Sequence, residues 1–260
     1  VVPGSRYLAL GDSVTFGFRE ANTVPAPNYQ NQSSFIGYPQ IVAAALHLRV
    51  TNAACPGETS SSLVNTFAPS NGCTNSTPPT APAYRSLFPL HVNYKGSQLS
   101  FAIKFLRRTR NVRLVTLEIG ANDLFLCQKT QNGCTSAAAL QGTVNTIQSN
   151  IRTILSAIRQ KAHYRGQIVI VNYYSLDYNS AFITNAVKAL NQAQDTAGRP
   201  FRVLIANGFG QFYQGSLYSG ASPCTAGLLT QLGKPGSCGV HPSYAGQSLL
   251  ALAVQRAVHL

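Results

Sequence analysis

The chain of 260 residues contains no methionine, even at its first position. We therefore expect a mature form from which a leader has been removed. No uninterrupted apolar run approaches the roughly 20 residues of a membrane-spanning helix, so no transmembrane segment is expected. There is no Cys-x-x-Cys ligand pattern, no phosphate-binding glycine loop and no His-rich constellation of metal-ligand spacing; neither a cofactor nor a metal is expected. Acidic residues are scarce, 7 Asp+Glu against 20 Lys+Arg, giving a formal charge of +13, and none occurs after Asp195. The basic residues are scattered along the chain and match no nucleic-acid-binding motif, which argues against a nucleic-acid partner. Attraction to an anionic lipid or cell-wall surface fits better, with general solubility as the plain alternative.

What the chain does contain begins with six cysteines. They fall into three local pairs, Cys55 with Cys73, Cys127 with Cys134, and Cys224 with Cys238. The sequential pairing closes the shortest loops and implies an oxidising, extracellular compartment. Free buried thiols are the alternative.

Hydrophobic patterning predicts five apolar strands: Tyr7–Leu10, Leu48–Ala54, Val112–Ile119, Ile168–Tyr173 and Phe201–Ile205. Between them lie helical patterns. One opens at Tyr38-Pro39, where proline suits the first turn, and one is capped by Ser97. The clearest runs from Leu140 through Ile147, Ile151 and Ile154 to Ile158 in three- and four-residue steps. Another spans about Ser180 to Asp195, with Phe182, Ala186 and Leu190 expected inward, and a last one follows Pro242. The proline-rich stretch from Phe67 to Lys95 reads as a long loop, carrying the sequon Asn75-Ser76-Thr77 and apolar residues (Phe67, Tyr84, Leu87, Phe88) able to line a groove. Strands alternating with helices imply a parallel sheet covered on both faces, and no break in composition divides the chain, so a single domain over 1–260 is expected.

Position is the informative feature. Ser13, Gly57 and Asn122 each follow a strand, so a parallel sheet crowds them at one carboxyl edge, and His241 precedes Pro242 in a loop that can reach that edge. A hydroxyl, two kinds of N–H donor and an imidazole are what acyl transfer needs. In order and spread, the blocks Gly11-Asp12-Ser13, Cys55-Pro56-Gly57-Glu58, Gly120-Ala121-Asn122-Asp123 and His241-Pro242 resemble those of the SGNH, or GDSL-type, hydrolases. The resemblance covers essentially the whole chain. It implies a flavodoxin-like three-layer α/β/α sandwich and a serine esterase, with Ser13 as nucleophile and His241 as base. The oxyanion hole would be formed by the Ser13 and Gly57 N–H groups and the Asn122 amide.

The pattern departs from the family at one place. An aspartate usually stands three residues before the histidine, and here that residue is Cys238. We therefore expect a Ser-His dyad whose imidazole is oriented by a backbone carbonyl at or near Cys238, in a loop shaped by the disulfide to Cys224. The competing expectation is a distant carboxylate, Glu118 or Asp123, although Glu118 in an apolar strand more often pairs with a nearby Arg or Lys. Asp12 should brace its own turn and Asp123 its loop. Tyr173 and Tyr174 stand where they can face a substrate. The expected protein is a secreted, monomeric esterase or lipase acting on acyl esters, including phospholipids at a lipid surface. A carbohydrate O-acetylesterase, or a catalytically silent binding protein, are the alternatives. A long apolar groove would favour the esterase or lipase and a shallow polar cleft the carbohydrate O-acetylesterase.

Overall fold

The computed structural model describes residues 1–76, 82–234 and 236–260. Five apolar segments form one parallel sheet: β1 (Arg6–Gly11), β2 (Arg49–Asn52), β3 (Val112–Glu118), β4 (Gln167–Val171) and β5 (Leu204–Ala206), in spatial order β2-β1-β3-β4-β5. Tyr7 through Leu10 are fully buried, as continuous apolar runs on a doubly covered sheet should be. The strand order switches direction between β1 and β3, where open sheets leave a crevice beyond their carboxyl ends. Register places Gly11, the last residue of β1, opposite Glu118, the last of β3.

The described residues form ten α-helices, in chain order α1 (Ser13–Phe16), α2 (Tyr38–Ala45), α3 (Ser60–Val64), α4 (Tyr84–Leu87), α5 (Gln98–Arg108), α6 (Ala121–Thr130), α7 (Ala137–Ser156), α8 (Ala181–Gly198), α9 (Gly208–Ser216) and α10 (Tyr244–Ala257). On one face α10 packs between α2 and α9; on the other α7 packs between α3 and α8. The periodic apolar stripe predicted for α7 is the one it buries, with Ile147, Ile151 and Ile154 fully enclosed. Truncating Ile151 to alanine should cost about 2–5 kcal/mol. Ser97 caps α5 as expected, accepting from the Ser100 N–H.

Three parts of the fold differ from the sequence expectation. Helices α6 and α9 lie in stretches with little apolar periodicity. The glycine-containing α9 is held by tertiary contact, its Phe212 buried and stacked on Tyr174 at 4.2 Å between ring centroids. Phe182, expected inward, is 58% exposed and lines an open cavity instead of packing in the core. His241 sits on a strand rather than a loop. Strands β6 (Leu229–Gln231) and β7 (Cys238–Pro242) form a small antiparallel pair, and α10 begins only at Tyr244.

All three sequential disulfides are present, Cys55–Cys73, Cys127–Cys134 and Cys224–Cys238. The first lies in a second apolar cluster with Phe16, Phe35, Tyr84 and Leu90, which tucks the long loop against the sheet edge. Within that loop Phe67 is almost fully exposed and Leu87 half-exposed, whereas Tyr84 and Phe88 pack on each other. Of the sequon, Asn75 is engaged within its turn, donating to the Ala68 carbonyl and accepting from the Ser70 N–H; Thr77 lies outside the described residues. Among the described residues no helix is long and apolar enough to cross a membrane.

Candidate active site

β1 ends in Gly11 and the chain turns at once into α1, whose first residue is Ser13. Asp12 caps that turn, its Oδ1 accepting from the Val14 N–H at 2.9 Å and its Oδ2 from the Tyr173 hydroxyl at 2.6 Å. Burial pushes the Asp12 carboxyl up to about 6, against the pull of the bonds from Tyr173 and Val14. Gln98, from α5, grips the same turn from below. Its Oε1 accepts from the Gly11 N–H at 2.7 Å, and its amide donates to the Gly11 carbonyl and to Glu58 Oε2, each at 3.0 Å. One buried carboxamide thus ties the Ser13 turn to the Gly57-Glu58 segment. Glu58 is itself raised to about 7 by burial, despite bonds from Ser62 and Gln98.

The structure brings Ser13 and His241 together: the Ser13 hydroxyl lies 3.0 Å from His241 Nε2. The imidazole packs against Phe18 with ring centroids 4.8 Å apart. On its far side the sequence expectation is corrected. Nδ1 meets the Glu20 carboxylate, 2.7 Å from Oε1, and not the Cys238 carbonyl. Cys238 opens β7, where it pairs with Gln231, and the hairpin lays the segment from Gly239 to His241 over Glu20. The same Oε1 accepts from the Val240 N–H at 3.0 Å, while Oε2 accepts from the Thr230 hydroxyl at 2.5 Å. Burial disfavours the charged form of Glu20. The bond and charge of His241, with the Thr230 bond, outweigh it and hold the carboxyl down to about 2. Gly239 makes the approach possible, since a Cβ there would stand 2.0 Å from Glu20 Oε1.

Neither of the distant carboxylates considered from sequence reaches the histidine. Asp123 accepts from the Ser60 N–H and hydroxyl at 2.8 and 2.6 Å, bracing α6 on α3; burial, partly countered by these Ser60 bonds, raises it to about 6. Glu118 is fully buried and its pKa is driven well up by burial. Among the described residues it pairs with no Arg or Lys, and its Oε1 has no hydrogen-bond partner. Glu20 was missed because it lies in the turn-rich stretch from Phe18 to Ser34, which has no periodicity to read. A signal was available. Of only seven acidic residues, it alone stands in the loop leaving the Ser13 turn.

Gly57 and Asn122 line the same cavity as Ser13 and His241. Gly57 has φ +83°, and a Cβ would lie 2.6 Å from the Asn71 carbonyl, so only glycine fits. Asn122 Oδ1 accepts from the Asn71 amide at 2.8 Å, and Asn71 Oδ1 accepts from Lys129 Nζ at 2.6 Å. With its oxygen engaged, the Asn122 carboxamide offers its two N–H groups, one bonding the Asp12 carboxylate and the other left to donate toward the cavity. That cavity measures about 960 Å³. Beyond the polar corner its wall is mostly apolar, with Leu124, Phe125, Leu140, Phe182, Ile183 and Leu190 among its residues. Tyr173 and Tyr174 line it too, the second donating to the Val240 carbonyl at 2.7 Å. Cys55, Glu58 and Cys73 come close enough to suggest a metal set, but both sulfurs are consumed in their disulfide.

The model of the GDSL-like lipase/acylhydrolase family matches residues 9–249. The chain belongs to that family. Among curated proteins none matches it. Solved structures share the fold at low identity. Axe2, an acetylxylan esterase from Geobacillus stearothermophilus, superposes with a TM-score of 0.59 at 14% identity, over 100% of this chain and 96% of that one. LAE5, an alpha/beta hydrolase enzyme from the metagenome of Lake Arreo, Spain, gives 0.55 at 14% identity, over 99% and 96%. This GDSL-family acylhydrolase thus carries the family's five-stranded sheet with a serine, an imidazole and a carboxylate in line at its carboxyl edge.

Proposed function

We propose that this GDSL-family protein is a secreted serine hydrolase of esters with long acyl chains. Ser13 would attack the ester carbonyl while His241 Nε2 takes its proton. The developing oxyanion would be received by the Ser13 and Gly57 N–H groups and the Asn122 amide. Collapse of the tetrahedral intermediate breaks the bond to the alcohol, whose oxygen takes the proton from His241 and leaves an acyl-enzyme. Water activated by His241 then releases the acid. Glu20 stays ionised throughout, holding the tautomer that donates from Nδ1 and stabilising the imidazolium. The reading is a Ser-His-Glu triad in place of the dyad.

The observation that carries the substrate preference is the cavity. About 960 Å³ of mostly apolar space beside Ser13 exceeds what an acetyl group would use. Each methylene buried there contributes about 0.8 kcal/mol, close to a fourfold gain in kcat/KM. Three disulfides favour an oxidising, extracellular setting. Turnover of p-nitrophenyl esters from acetate to palmitate, by the wild type and Ser13→Ala, tests both parts. We expect kcat/KM to climb over the first several methylenes and to vanish with Ser13. Acetate as the best substrate would overturn the chain preference, and turnover that survives in Ser13→Ala would overturn the mechanism.

A further inference from the structure

Cations that look scattered in the sequence are gathered by the topology. Each of the five parallel strands is entered past an exposed arginine: Arg49 for β2, Arg6 for β1, Arg113 for β3, Arg165 for β4 and Arg202 for β5. Parallel strands all begin at one edge, so the five line the amino rim, opposite Ser13. Adjacent strands lie about 4.8 Å apart, which spreads them over about 20 Å. Arg6 and Arg49 are direct register partners, an arrangement that costs stability between like charges. Lys104, Arg107, Arg108 and Arg110 thicken the row where α5 feeds β3, and all four are exposed. Three of them line a cleft of about 440 Å³.

Among the described residues no side-chain carboxylate offsets this row. The one ion pair among the described residues is that of His241 with Glu20. Asp12, Glu20, Glu58, Glu118 and Asp123 all stand in or beneath the opposite edge, Asp177 follows β4, and Asp195 bonds Asn172 just beyond the carboxyl end of β4. Basic residues in a helix's last turn ease its dipole, which accounts for Arg107 and Arg108 but not for an arginine at every strand entrance.

We propose that the amino rim is a docking track for an anionic polysaccharide bearing sulfate or phosphate groups. A linear row suits a linear polyanion, and the guanidinium fork suits bidentate contact with such oxyanions. Exposed large apolar side chains on this rim amount to Val2 and Leu260 at the chain ends, too little to seat it in a bilayer. No strand entrance carries an exposed aromatic on which nucleobases could stack. Docked this way, the protein is tethered with its ester cavity facing outward.

Heparin serves as the probe. The rim variant Arg6→Gln/Arg49→Gln/Arg113→Gln is compared with Lys95→Gln/Lys188→Gln/Lys234→Gln, which removes the same charge elsewhere. We expect the rim variant to elute from immobilised heparin at clearly lower salt and to lose the rise in Tm that heparin gives the wild type. The slope of log affinity against log salt should fall by about two to three. The control should keep most of each effect, and all three proteins should hydrolyse p-nitrophenyl butyrate alike. Arg107→Gln/Arg108→Gln/Arg110→Gln repeats the test on an independent set. Equal losses in rim and control variants would overturn the proposal, reducing the effect to net charge. So would rim-dependent binding to phosphatidylserine vesicles or to single-stranded DNA without rim-dependent heparin binding.

Discussion

The two edges of the sheet are built from the same strands and differ in how their charge is handled. At the carboxyl edge five carboxylates are packed among hydrogen-bond donors, and each is shifted from its ordinary range. At the amino edge the arginines are exposed and, among the described residues, form no ion pair. Enclosure turns charge into chemistry: the half-buried Glu20 carboxylate can act on an imidazole because solvent screens it only in part. Exposure leaves charge as a long-range field, suited to attracting a partner and tunable by salt.

The sharpest way to break this contrast is to remove groups at the enclosed edge. Ser13→Ala should lower kcat by about 10⁴-fold or more, with a circular dichroism spectrum and Tm close to wild type. Asn122→Ala should lower kcat by about 10²–10³-fold with little change in KM, as the loss of an oxyanion donor does. Asn71→Ala, which frees the Asn122 carboxamide to rotate, should cost about tenfold. If Asn71→Ala matched Asn122→Ala in KM rather than kcat, the network would be serving substrate binding instead.

The pH dependence of stability sharpens the same contrast. Asp12 and Asp123 are raised to about 6 and Glu58 to about 7 by burial. Their folded forms hold protons that the unfolded chain releases near pH 4, so stability falls as pH rises from about 4 through 7. Glu20 works in the opposite direction. Held down to about 2, it contributes stability present above about pH 4.5 and lost as pH falls toward 2. Thermal melts from pH 3 to 8 should therefore peak near pH 4–5, and the downward limb above pH 5 should flatten in Glu58→Gln. Smallest of all, Arg49→Gln at the open edge should raise Tm by a degree or two at low salt by relieving its repulsion with Arg6, and not at high salt.

Much of the fold was legible because its elements speak in long apolar runs. The strand Val112–Glu118 and the stripe of α7 carry their burial in their own residue order. Ser13, Gly57 and Asn122 could be placed at one edge because each follows such a strand. The remainder depends on contacts distant in sequence. Helix α9 exists through Phe212 on Tyr174, and Phe182 is exposed because it lines an open cavity. Glu20 meets His241 across 221 residues, in a loop with no periodic signal, and only the β6–β7 hairpin delivers the ring to it. The arginine row was invisible for the same reason. Its members are far apart in the chain, and parallel topology alone sets them side by side.

Whether the Glu20 carboxylate on His241 Nδ1 drives the chemistry is tested most directly by kcat of Glu20→Gln beside that of Cys224→Ser/Cys238→Ser, each with its Tm recorded. Glutamine keeps the shape of Glu20 but removes its charge and one of its two acceptors, so we expect kcat to fall by about 10³–10⁴-fold at temperatures where the variant is folded, with Tm lowered at neutral pH by the loss of the ionised form's contribution. The disulfide variant should lose stability, about 3 kcal/mol for a loop of this length, while keeping most of its kcat at temperatures where it is folded. A Glu20→Gln enzyme within a few-fold of wild type would contradict the triad and return the orienting role to the backbone of the Cys238 segment.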